Sequence, residues 1–161
     1  MIWLVVISFL IFALYTSIVC IKNKDIPWSI SATYYTLEHR YWFAFSMMTP
    51  ALRLIAPALE ASGSGSEFLA FLSVSGMLLV GISPNYREDK MENIVHNTGA
   101  YITAAFSQIW MMINCPILLF HWAIYFPLLA KYFIKKTDFK PVFWAEIGLF
   151  NVWIYLILKY L

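Results

Sequence analysis

Two groups of polar side chains have the types and spacing to do chemistry. The first begins where the opening apolar run ends, in Ile26-Pro27-Trp28-Ser29-Ile30-Ser31-Ala32-Thr33-Tyr34-Tyr35. Its hydroxyls, Ser29, Ser31 and Thr33, with His96, Asn97 and Glu146 further along, make a set suited to holding a polar head group. A His–carboxylate grouping in a lipid-facing pocket is also what a membrane hydrolase or acyltransferase uses for proton transfer. The plainer role for the same residues is a capped loop, with the hydroxyls satisfying backbone groups and His96 as a contact at a helix start. The second group is Arg53, Ser73, Gln108, His121 and Asn151, each interrupting an apolar stretch. An arginine at the centre of a membrane helix costs about 2.5–3.5 kcal/mol on insertion scales. Such a residue lines a cavity, ties helices together or reaches toward a membrane surface. Gln108, Ser73 and Asn151 also fit ordinary interhelical hydrogen bonds, worth about 0.6 kcal/mol each.

The elements that position these groups follow from composition. Of 161 residues, 61% are hydrophobic and 12% charged, and mean hydropathy is +0.70. Soluble domains carry about 25% charged residues, and a small globule cannot hide this much apolar surface. The fold class expected is all-α, an integral membrane protein forming one compact bundle of six transmembrane helices. With about 20 apolar residues needed per crossing, the spans are placed at 2–21, 41–60, 67–84, 97–113, 116–133 and 141–160. Residues 93–130 form a 38-residue run without Asp, Glu, Lys or Arg. As one helix it would be roughly 57 Å long, twice a bilayer core, so it divides into a hairpin at Asn114-Cys115-Pro116. Residues 85–96 read as a short interfacial helix ahead of the fourth span. Residues 61–66, ASGSGS, read as a flexible linker.

In this topology, helical rise puts Arg53 and His121 roughly 18 Å, and Ser73, Gln108 and Asn151 roughly 15 Å, from the face carrying loops one, three and five. Five helices thus place a polar residue in one layer. Glu146 lies roughly 7–8 Å below that face and needs a partner there. The same loops and adjoining helix ends hold Lys22, Lys24, Arg40, Arg87, Lys90, Lys131, Lys135, Lys136 and Lys140, against Lys159 alone at the opposite face. Positive charge marks the cytoplasmic side in short loops. Residues 22–40, 85–96 and 134–140 are therefore expected in the cytoplasm, with both termini outside. Residues 1–21 carry no charge and read as a retained first span rather than a signal peptide.

Several function classes find no support. A net charge of +2 leaves no footprint for nucleic acid. His39 and His96 sit at one face and His121 is roughly 18 Å away, so no metal site is expected. No spacing indicates a cofactor, and no residue is assigned a catalytic role. Cys20 and Cys115 fall at opposite faces and do not pair. Trp3, Trp28, Tyr41, Trp42, Tyr86, Tyr132, Trp144 and Tyr160 fall near span ends, as an interfacial belt does. Trp110, Trp122 and Trp153 lie deeper, facing lipid or a ligand.

The Ser29-Ile30-Ser31-Ala32-Thr33 element, and the segment from Gly81 ending in His96-Asn97-Thr98-Gly99-Ala100, resemble two elements of a known family. It comprises six-helix membrane proteins related to the damage-regulated autophagy modulator and the FGF-receptor-activating protein, with bacterial relatives of unknown function. The resemblance implies six helices and a link to membrane lipid, such as lipid-anchor remodelling or lipid distribution. It assigns no catalytic residue, and the Asp that often follows SIS in that family is Ala32 here. Its eukaryotic members are thought to place the first loop on the luminal side, whereas the charge count places it in the cytoplasm.

The expectation drawn from all this is a multi-pass membrane protein that binds or handles a membrane lipid or other amphiphile, leaning away from an enzyme. The alternatives are a small permease or channel with its path past Arg53, and a structural subunit of a larger membrane complex. Membrane lipids are the expected partners, together with further copies of the chain or other membrane subunits.

Overall fold

The computed structural model describes residues 1–161 and is entirely helical, without strands. The α-helices are α1 (Ile2–Asn23), α2 (Tyr41–Ala61), α3 (Glu67–Ile82), α4 (Lys90–Asn114), α5 (Trp122–Lys135), α6 (Pro141–Gly148) and α7 (Asn151–Tyr160). Short 3-10 turns at Ser31–Tyr35 and Pro116–Leu119 complete the chain. Four segments are long and apolar enough to cross a membrane: Ile2–Asn23, Tyr41–Ala61, Pro116–Lys135 and Pro141–Tyr160. The apolar α3 is shorter, at 16 residues.

α1 to α4 pack in sequence order, and α7 closes against α1 and α2. The tightest crossing is α3 on α4. A Cβ on Gly76 would stand 2.6 Å from the Gly99 carbonyl oxygen, and one on Gly99 would stand 2.7 Å from the Gly76 carbonyl oxygen. Small residues let two backbones approach this closely. Glycine 99 belongs to the His96-Asn97-Thr98-Gly99-Ala100 element, so this part of the motif serves packing. Beside the crossing, Ser73 Oγ donates to the Thr103 carbonyl (3.5 Å) and Thr103 Oγ1 to the Ser73 carbonyl (3.2 Å).

Three expectations change. The interfacial helix and the fourth span are one helix of 25 residues. Asp89 caps it by accepting the Glu92 N–H at 2.8 Å, and nothing between Lys90 and Asn114 breaks it. The sixth segment is broken between Gly148 and Asn151, where Leu149 and Phe150 donate to carbonyls three residues back. The ASGSGS loop is stitched down rather than free. Asn114 accepts the Gly63 N–H at 2.8 Å and donates to Ser66 Oγ at 3.1 Å, and Trp110 donates to Ser62 Oγ at 2.8 Å.

Loops one, three and five meet at one end of the bundle. The Arg87 N–H donates to the Tyr35 hydroxyl (2.6 Å), the Phe143 N–H donates to the Trp28 carbonyl (3.0 Å), and Lys140 pairs with Asp25 (3.9 Å). Loops two and four meet at the other end through Asn114, where Tyr155 and Tyr160 hydroxyls also tie α7 to the carbonyls of Ala61 and Pro57. α5 has no buried residue and stands at the edge.

Candidate functional site

The loop-one motif divides its side chains among three tasks. Ser29 Oγ accepts the Ala32 N–H at 3.0 Å and so caps the following turn. Thr33 Oγ1 donates to the Ile30 carbonyl (2.6 Å) and meets the Tyr15 hydroxyl of α1 at 2.5 Å. Ser31 faces α6. There Glu146 Oε2 accepts the Ile30 N–H at 2.5 Å, with Ser31 beside it in the same cavity wall. Glu146 thus finds its partner in a backbone donor, not in His39, His96 or a lysine.

His96 and Asn97 do not join this group. His96 is 3% exposed, its Nδ1 lies 2.9 Å from the Ser83 carbonyl, and its ring stacks on Tyr86 at 4.2 Å. Asn97 is exposed and donates only to Asn93 Oδ1, at 3.1 Å. Because α4 is already helical from Lys90, neighbouring positions 96 and 97 point to different sides of it. The expected pocket of Ser29, Ser31 and Thr33 with His96 and Asn97 therefore separates into a Glu146–Ser31 centre and a His96–Tyr86 stack. Burial pushes the His96 imidazole pKa below its ordinary value, only partly offset by hydrogen bonding to Ser83 and Val80 and by Glu92. Desolvation likewise raises the Tyr35 phenol, against the Arg87 N–H that steadies its oxygen.

The expected polar layer is also divided. Gln108 and Asn151 pair through their amides, with Asn151 Nδ2 2.9 Å from Gln108 Oε1 and Gln108 Nε2 3.3 Å from Asn151 Oδ1. Trp122 Nε1 donates to the same Gln108 oxygen at 2.9 Å. His121 packs on Trp122, its Nδ1 2.8 Å from the Leu118 carbonyl and its Nε2 enclosed without a partner. Ser73 bonds α4 as described above. Arg53 takes part in none of this. It is half-buried on α2, and the one ion pair in the structure is Lys140–Asp25.

A cavity of about 340 Å³ connects the two polar centres. Ser31 and Glu146 line it toward the loop-one end, and Gln108 and Trp122 line it deeper in the bundle. Between them the wall is Met47, Met77, Val80, Ala104, Leu149 and Trp153. Trp153 is 5% exposed and its indole N–H has no acceptor. A second, wider groove of about 820 Å³ lies between α5 and α6–α7, beside Phe9 of α1. It offers a ligand apolar contact but little polar chemistry, since His121 Nδ1 is satisfied and Nε2 is shut in.

Sequence reasoning singled out Ser31, Glu146, Gln108, Trp122 and Trp153 but missed Tyr15, Thr103 and the methionine wall. Tyr15 carried a signal, because a tyrosine inside an apolar span needs a partner for its hydroxyl. Met47 and Met77 carried none, since a cavity wall and a packed core use the same residue types. No family model, curated protein or solved structure matches this chain.

Proposed function

We propose that this chain is an integral membrane protein whose six segments cross the bilayer and hold one amphiphilic molecule in the cavity between α4 and α6. The observation that carries the proposal is the cavity itself. Its size is within the ordinary range for small-molecule sites, about 300–1,000 Å³. Its wall is apolar, and its polar groups sit at the two ends, as an amphiphile requires.

The membrane reading rests on the outer surface. Leu10, Leu14 and Ile18 on α1, Phe68 and Phe71 on α3, and Ile124, Phe126 and Phe133 on α5 are all exposed. Apolar surface this extensive is matched by lipid rather than water. Loops 22–40, 85–96 and 134–140, with their basic residues, then face the cytoplasm, and both termini face outward. The order of the Ser29–Thr33 and His96–Ala100 elements, which resembles that of the autophagy-modulator family, supports a role tied to membrane lipid. The permease alternative centred on Arg53 has less support, as Arg53 lines neither of the two cavities described above.

The test is native mass spectrometry of the protein extracted in mild detergent. One co-purifying amphiphile per chain is expected, and Ala104→Trp, which fills the cavity from α4, is expected to abolish it. A folded Ala104→Trp protein retaining the same adduct overturns the reading.

A further inference from the structure

Granting that the cavity holds an amphiphile, we infer that the molecule is a long-chain primary amine, its ammonium seated on Glu146 and Ser31 and its tail directed toward Gln108 and Trp122.

Charge gives the first argument. Glu146 is the one carboxyl among the cavity residues, and no Lys, Arg or His lines the cavity. A carboxyl in an apolar wall ionises most readily beside a cation, and its ionised form repels an anion. Fatty acids and phosphate head groups are therefore disfavoured at this end, and an ammonium supplies the missing charge.

Hydrogen-bond capacity gives the second. A carboxylate offers about four lone-pair sites. The Ile30 N–H uses one, leaving acceptor positions for a donor from the cavity. Deeper in the cavity the groups are neutral. Gln108 Oε1 already accepts from Asn151 and Trp122, and Gln108 Nε2 donates to Ser107 and Asn151. Thr103 gives its proton to the Ser73 carbonyl, and its oxygen offers an ammonium a weaker acceptor than a carboxylate does. The head group belongs at the Glu146 end and the tail in the methionine-lined part.

Depth agrees with both. Glu146 is on α6, close below the loops that gather at one end of the bundle, so an amine there lies near the membrane surface and its tail points toward the bilayer centre.

The experiment titrates the full chain in detergent with dodecylamine, dodecanol and dodecanoate at matched concentrations and counts adducts by native mass spectrometry. Dodecylamine is expected to bind at least about tenfold more tightly than the other two, the size of one hydrogen bond to a charged group. Glu146→Gln keeps an acceptor for Ile30 and is expected to erase that preference; Ala104→Trp is expected to remove binding. Equal binding of all three, lost in Ala104→Trp, overturns the amine assignment and leaves the cavity reading intact. Binding that survives Ala104→Trp overturns both. Should Glu146→Gln fail to fold, the comparison of head groups on the unaltered chain, with Ala104→Trp as the blocked control, decides alone.

Discussion

Glu146 Oε2 lies 2.5 Å from the amide nitrogen of Ile30, a residue 116 positions earlier in the chain. That contact lays loop one across the start of α6. Thr33 on Tyr15, Trp28 on Phe143 and Tyr35 on Arg87 hold the same loop at three further points. Loop one is thus a fixed cover on the cavity, with Glu146 as both its clasp and the polar end of the site.

Glu146→Ala leaves the Ile30 N–H without its acceptor. The expected loss is about 1–3 kcal/mol, the cost of an orphaned buried donor. The measurement is thermal unfolding in detergent, paired with limited proteolysis inside residues 24–40, which should quicken. Glu146→Gln should lose less on both readouts. An alanine variant as stable and as protected as the parent would show that the clasp is idle.

The α3–α4 crossing has no room for a side chain. A Cβ on Gly99 meets the Gly76 oxygen and Leu79 Cβ at 2.7 Å each. Those atoms belong to a helix backbone and its first side-chain carbon, so the helices must separate. Gly99→Ala is expected to destabilise by about 1–3 kcal/mol and Gly99→Leu by more. Gly65, with φ +87° and open space around it, is the comparison. Gly65→Ala should cost only about 1 kcal/mol, through backbone strain. Melting temperatures of the three variants rank the effects.

Much of this architecture was written in hydropathy. The Asn114 turn, Pro141 at a helix start and the gathering of loops one, three and five follow from apolar runs, prolines and chain alternation. The fusion of residues 85–96 with the fourth helix was hidden, because Asp89 is one polar residue among many and its capping depends on geometry. The site was half legible. Ser31 and Glu146 stood out as polar residues in apolar company, but their pairing joins distant parts of the chain. The assumption that neighbours 96 and 97 act together failed because a helix turns about 100° per residue. Depth arithmetic brought Gln108 and Asn151 together yet also admitted Arg53, since depth does not say which way a side chain faces.

His96 lies in the first two turns of α4, beside loop three, and makes stability depend on pH. Burial disfavours its charged form, so its folded pKa is below the unfolded value of about 6.5. At a pH between the two the unfolded chain binds more protons, and stability rises with pH. The contribution is therefore fully present above about 6.5 and is lost as pH falls through the folded value. Melting temperature should drop as pH falls below about 6.5 in the parent chain, and this component of the slope should vanish in His96→Gln. A slope unchanged by the substitution assigns the effect to the carboxylates instead.

Arg53 and Gln108 began as members of one expected layer, and the structure gives them opposite prospects. Gln108 satisfies donors from Asn151 and Trp122, so Gln108→Leu strands two polar groups inside the bundle. A loss of about 0.6–1.7 kcal/mol is expected, the range for membrane interhelical hydrogen bonds. Arg53 has no carboxylate partner in the chain and stands half-buried at the edge of α2. In the proposed membrane setting its guanidinium raises the energy of α2 without a compensating contact. Arg53→Leu is accordingly expected to leave the melting temperature unchanged or to raise it. Both variants are compared in the same detergent and again in lipid nanodiscs. A loss for Arg53→Leu confined to nanodiscs would give the guanidinium a partner in the lipid phase, and an equal loss in both media would restore Arg53 to the polar network of the bundle.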